Sequence, residues 1–216
     1  MRLFLTDDQK EFFQKHRFIE IEGLFSLEKI AQIEKLSDLT LTKRLHAKNS
    51  PLLQGYDLWR DNKELKEILH NRSLIKIIAE LFNAFPLRIA FDQYIKATSP
   101  SPIQATWALE ELSCIKPLAG SMLIPLSFSK TLKSHFPFPQ KGNVLFLAPD
   151  YPIPWPLLFA LEDLKLLIVS FAPEKAIYQQ ETRDPHQHVL KKWGYVFGDS
   201  LNNQYHPLLI VNRDNY

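Results

Sequence analysis

At 216 residues the chain has room for one domain with a substantial buried core. Hydrophobic residues make up 45% and charged residues 23%, as in ordinary globular proteins, which excludes a fibrous or low-complexity chain. With 26 basic and 24 acidic side chains the net charge is +2, so no global field draws nucleic acid or an anionic membrane surface, and neither is expected as a partner.

In chain order, Thr6 with Gln9 three residues later forms a capping-box pattern, and Phe12, Phe13 and His16 follow on one face of the predicted helix. Phe18-Ile-Glu-Ile-Glu alternates at the strand period until Gly23 breaks it. Ser26 is placed to cap a helix whose inner face carries Leu27, Ile30, Ala31 and Ile33. Asn62 is the expected cap for a helix burying Leu65, Ile68 and Leu69, and Ser73 for one burying Leu74, Ile77, Ile78 and Leu81.

Beyond Pro86 the helical period disappears. Leu87 to Ile95, Met122 to Phe128, Asn143 to Ala148 and Leu164 to Phe171 are short β-rich runs separated by Pro and Gly, the pattern of a sandwich or jelly roll with antiparallel strands. The stretch Pro149-Asp-Tyr-Pro-Ile-Pro-Trp-Pro156 lacks too many N–H groups to be a central strand. The expected organisation is a single unit over 1–216, with a helical part at 1–86, a β core at 87–173 and a C-terminal extension at 174–216 packed on that core.

Cys114 stands alone, which excludes an internal disulfide and a cysteine metal knuckle and favours a reducing compartment. Asp7 and Asp8 leave no apolar region for a signal peptide, and Leu164 to Ala172 is too short to span a bilayer, so a cytoplasmic location is expected. The thiol sits in the apolar setting Leu112-Ser-Cys-Ile115, where it is expected to be inert. No G-x-S-x-G elbow or phosphate-cradling glycine loop occurs, so no catalytic nucleophile is assigned.

Several stretches resemble the phytanoyl-CoA dioxygenase family. They are Leu5 to Phe13 continuing through Phe18 to Ser26, then Asp57-Leu-Trp-Arg60, then Leu87 to Tyr94, and the tail Asp184-Pro-His-Gln-His188 with Lys191 to Asp199 and His206-Pro207. The resemblance covers most of the chain and is weakest between about Thr98 and Trp155. It implies a mainly β fold with flanking helices, a double-stranded β-helix of the jelly-roll or cupin kind. It also implies an Fe(II) centre with two His and one carboxylate that works with 2-oxoglutarate.

The residues depart from that implication where the metal would sit. None of the seven histidines stands two residues before Asp or Glu, so the usual H-x-D/E element is missing. The family's histidine-bearing turn is matched by either Ile124 to Phe128 or Ala119-Gly-Ser121, without histidine in either, and Gly142 to Leu147 is not followed by the distal histidine. Asp150 in the following loop is a carboxylate that is expected to be solvated rather than to bind a cation. The family's arginine for the 2-oxoglutarate carboxylate corresponds to Lys165, a candidate acid-binding cation that keeps the charge but loses the bidentate fork. His186 and His188 could chelate a metal from an extended segment, but docking of the tail through imidazole hydrogen bonds and the rings of Trp193, Tyr195 and Phe197 is the expected role.

No metal ligand and no cofactor are therefore assigned. The expected function is that of a phytanoyl-CoA dioxygenase-like protein without iron-dependent oxygenase activity, binding a small carboxylic acid or a protein partner or serving as a scaffold. The alternative is an Fe(II)/2-oxoglutarate-dependent oxygenase with a rearranged metal site.

Overall fold

The computed structural model describes residues 4–44, 52–97, 105–129 and 135–209. The parts of the expected elements at 45–51 and 98–104, and the end of the tail at 210–216, lie outside the described residues.

Helix α1, Asp7–His16, starts as the sequence anticipates: the Thr6 side chain accepts from Gln9 N while the Gln9 side chain accepts from Thr6 N, satisfying end N–H groups from both sides. Strand β1, Phe18–Ile21, follows at once. Helix α2, Leu27–Arg44, begins at Ser26, whose Oγ accepts from Lys29 N at 3.2 Å and whose carbonyl accepts from Ile30 N at 2.9 Å. Strand β2, Leu52–Tyr56, leads into the short helix α3, Leu58–Asp61, and Asn62 then caps α4, Lys63–Leu69, by accepting from Leu65 N. For α5, Arg72–Leu81, the cap is Asn71 rather than the expected Ser73, because the Asn71 carbonyl oxygen reaches both the Ser73 and Leu74 N–H groups.

The second half is built from strands. They are β3, Leu87–Ala97; β4, Thr106–Trp107; β5, Ile115–Lys116; β6, Gly120–Ser127; β7, Val144–Leu147; β8, Ile153–Pro154; β9, Leu164–Pro173; β10, Ile177–Tyr178; and β11, Leu208–Leu209. Short helices α6, Leu109–Leu112, α7, Trp155–Phe159, and α8, Gln187–Lys192, are interspersed. A seven-stranded antiparallel sheet runs β1-β7-β6-β9-β3-β11, and β2 joins β3 beside β11. Two-stranded ribbons β10-β5 and β4-β8 accompany it, giving the double-stranded β-helix with flanking helices. The proline-rich stretch contributes only the two residues of β8, and it does so at a ribbon rather than within the main sheet.

Alternation along the strands sends successive side chains into two separate cores. Leu167, Val169 and Phe171 of β9 join Tyr94, Met122, Ile124 and Phe146 under the helices, packed on Ile30, Ile33, Leu65, Leu69 and Ile78. Leu166 and Ile168 face the other way, with Phe91, Ile95, Leu123 and Leu145, toward the ribbons and the tail residues Tyr178, Leu190 and Tyr195. A bulge between Ile89 and Phe91 shifts the register of β3, so that Phe91, Gln93 and Ile95 share that second face.

Candidate functional site

The second face encloses a cavity of about 390 Å³. Its walls carry the aromatic rings of Tyr56, Phe91, Trp107, Trp155 and Phe159, and its polar groups are few: Gln54, Gln93, Ser113, Arg183 and Asp184. Gln93 Nε2 donates to Gln54 Oε1 at 3.0 Å, so the pair of cross-strand amides leaves one amide donor and one carbonyl acceptor side by side. Trp155 Nε1 is buried and has no hydrogen-bond partner among the described residues. An apolar box with a small number of convergent polar groups is the usual form of a small-molecule site.

Next to the cavity, three of the stretches that carry the family resemblance meet: Asp57-Leu-Trp-Arg60, the strand β3 and the tail. Asp57 follows β2 in the left-handed conformation (φ 55°), a conformation that Asp tolerates better than most residues. Its Oδ2 lies 2.7 Å from His186 Nε2 and 3.1 Å from Arg60 Nε. Burial works against the charged form, but the bond from His186 and the Arg60 charge outweigh it and hold the Asp57 carboxyl below its usual range, so Nε2–H is the donor. Arg60 lies between the rings of Trp59 and Trp193, at 4.4 and 4.6 Å from their centroids, and donates to the Tyr205 carbonyl.

Asp92 completes this arrangement from β3. Its two carboxylate oxygens accept from Leu58 N and Trp59 N at 3.0 Å, satisfying the start of α3, while full burial and the nearby Asp57 charge raise its pKa to about 7. His206 accepts from or donates to the Tyr195 hydroxyl through Nδ1 at 3.0 Å, and burial followed by the Arg60 charge lowers its pKa to about 3. The tail is thus fixed by buried polar bonds as well as by rings.

Docking is the observed role of His186, which is 1% exposed and stacks on Tyr56 at 5.5 Å, whereas His188 is exposed and does not join it. Helix α8 begins at Gln187, so the segment is not extended and the i, i+2 chelate does not form. Trp193 stacks on Tyr205 at 4.8 Å and Tyr195 is buried, but Phe197 is 73% exposed and anchors nothing, a correction to its expected role.

Asp184 holds two peptide N–H groups: Oδ2 accepts from Cys114 N and Oδ1 from His186 N, each at 2.8 Å. The Cys114 thiol, a ring nitrogen of His186 and a carboxylate oxygen of Asp184 all lie within 4.8 Å of one another, and all three residues are buried. Burial, then the Asp184 charge, pushes the Cys114 thiol well above its ordinary pKa. Sequence reasoning found Cys114 and His186 singly but not together, because their common partner Asp184 is 70 residues from Cys114.

Lys165 lies on the other face of β9. Its Nζ is 2.7 Å from both Glu34 Oε1 and Asp38 Oδ2 of α2, and it borders a smaller polar cavity of about 320 Å³ with Lys96, Ser127 and Asp163. The expected partner of an acid's carboxylate is therefore held by the protein's own carboxylates, away from the aromatic cavity. Asp150 is paired with Arg17 at 2.5 Å. Both candidate turns for the family's histidine fall within or at the edge of the single strand β6.

No family model matches the chain and no curated protein sequence does. Solved structures are similar in fold. SnoK, a non-heme alpha-ketoglutarate-dependent carbocyclase from nogalamycin biosynthesis, superposes with a TM-score of 0.73 at 14% identity, over 94% of this chain and 96% of that one. HygX from Streptomyces hygroscopicus, solved with nickel and 2-oxoglutarate bound, gives 0.55 at 15% identity, over 78% of this chain and 87% of its own. CT296 from Chlamydia trachomatis gives 0.51 at 21% identity, over 80% and 98%. The chain has the double-stranded β-helix fold that these superpositions share.

The family resemblance in the sequence implies iron held by two imidazoles and a carboxylate. The donor set observed does not fit it: the cavity lining contains no histidine among the described residues, and Asp184 is joined by one imidazole and one thiol. No helix of the described residues is long and apolar enough to cross a membrane.

Proposed function

We propose that this chain is a phytanoyl-CoA dioxygenase-like protein that binds a small aromatic molecule, an aromatic carboxylic acid above all, without iron-dependent oxygenation. The supporting observation is the composition of the cavity wall: five aromatic rings, a Trp155 indole N–H without a partner among the described residues, an amide pair and Arg183, which Glu181 holds, with no histidine among the described lining residues. Rings supply contact area at low entropy cost, and the indole and the Gln54 amide donate to an acceptor oxygen on the ligand.

Trp107 and Trp155 make binding directly readable. Saturable quenching of tryptophan fluorescence by members of a panel of benzoate- and indole-type acids is the expected result. Trp155→Phe, which keeps a ring but removes one donor, should weaken binding roughly 3- to 10-fold, the worth of one hydrogen bond. No saturable binding across the panel, or unchanged affinity in Trp155→Phe, would remove the support.

A second reading is favoured by the superposition on SnoK over 94% of the chain: a 2-oxoglutarate-dependent oxygenase with a rearranged metal site. Iron-dependent formation of succinate separates it from the first.

A further inference from the structure

We propose that Cys114, Asp184 and His186 form a zinc-binding site at the edge of the aromatic cavity, with a fourth coordination position open toward the cavity.

The donor atoms lie within 4.8 Å of one another and the residues are buried. Tetrahedral zinc with bonds of about 2.0–2.3 Å places its ligand atoms about 3.3–3.8 Å apart, so the three, within 4.8 Å of one another, need to draw in by about 1.5 Å at most. The imidazole supplies an independent sign. His186 is 1% exposed, its Nε2 is bound to the Asp57 carboxylate, and its Nδ1 has no hydrogen-bond partner among the described residues. A carboxylate on one ring nitrogen fixes the tautomer and ring orientation and leaves the other nitrogen as a lone-pair donor, the arrangement that accompanies metal-ligating histidines. A buried nitrogen without a partner is otherwise costly.

The other ligands are positioned in advance. Asp184 accepts from the backbone of both Cys114 and His186, tying all three residues to one carboxylate, and each of its oxygens keeps a second lone pair. Of the three, Asp184 lines the cavity, beside Ser113, which gives a metal access from that side. Thiolate, carboxylate and imidazole together with Zn(II) form an electrically neutral centre, suited to a buried position. The thiolate selects zinc over magnesium or calcium, which take oxygen ligands. The site does not depend on the reading of the cavity as an aromatic-acid pocket.

The test is equilibrium dialysis of the metal-stripped full chain against Zn(II), with metal measured by mass spectrometry, and a parallel titration with Co(II). Binding of one zinc per chain and a near-ultraviolet thiolate-to-cobalt charge-transfer band are expected. Both should be lost in Cys114→Ala, with folding checked by circular dichroism. If that variant fails to fold, the cobalt spectrum of the unaltered chain decides alone. Absence of stoichiometric zinc, zinc retained in folded Cys114→Ala, or bound cobalt without the thiolate band would overturn the proposal. Aromatic-acid binding is measured by fluorescence on the metal-stripped chain, so failure here and failure of the ligand-binding reading are distinguishable.

Discussion

The two faces of the main sheet are filled by different means. Under the helices lies hydrocarbon, from Leu87 and Phe146 to Ile78 and Leu69, and charged groups such as Lys165, Glu34 and Asp38 gather at its margin. The opposite face carries a cavity, and the tail is held beside it by the buried Asp57, His186 and His206 and the partly buried Arg60. Hydrophobic burial is non-directional and tolerant of sequence, whereas buried charges require fixed partners. The first face explains why the domain folds, and the second carries whatever specificity the protein has.

The sharpest way to break this comparison is to remove one buried charge beside the cavity. Asp57→Asn keeps a side chain that tolerates the left-handed backbone but leaves His186 and Arg60 without their anion, and should cost about 3–5 kcal/mol in a urea denaturation series. A cost below about 1 kcal/mol would mean that the tail is held by rings alone.

A smaller effect concerns pH. The folded His206 has a pKa of about 3 against 6.5 as the ordinary value, so between these limits the unfolded chain carries a proton that the folded chain does not. Stability from this group is therefore complete above the ordinary pKa and is lost as pH falls through that window. His206→Gln should lower the slope of stability against pH by about 1.4 kcal/mol per unit in the middle of the window, read from unfolding midpoints across pH. An unchanged slope would show that His206 titrates while folded.

The smallest effect belongs to the helix-covered face. Lys165→Ala removes ion pairs that reach solvent, and should cost about 1 kcal/mol or less. It should leave quenching by aromatic acids unchanged. A loss of binding would restore Lys165 to the acid-binding role that the sequence resemblance implied.

The same division decided what could be read from the sequence. Local patterns served well where a structure depends on near neighbours: the Thr6–Gln9 box is present, and the expected runs at Leu87, Met122, Asn143 and Leu164 lie on β3, β6, β7 and β9. The miss at Ser73 is a choice between caps two residues apart. The site was less legible because its bonds are long-range. Asp57 and His186 are separated by 129 residues, and each could be singled out in its own motif without showing that the motifs touch. Cys114 is buried, as its apolar sequence neighbours imply, but its polar neighbour Asp184 comes from the tail and could not be read from them. Lys165 matched a position in a strand, yet the one-residue alternation of β9 sends it to Glu34 and Asp38 instead of the cavity.

The proposed function is binding rather than oxidation on a double-stranded β-helix fold. Its most direct test is succinate formation from 2-oxoglutarate in air with added Fe(II) and ascorbate, with and without the aromatic acids that quench tryptophan fluorescence. The account expects no succinate above the level without protein in either case. Succinate that requires added Fe(II), rises with protein concentration and disappears with a chelator would contradict it and establish the rearranged-site oxygenase.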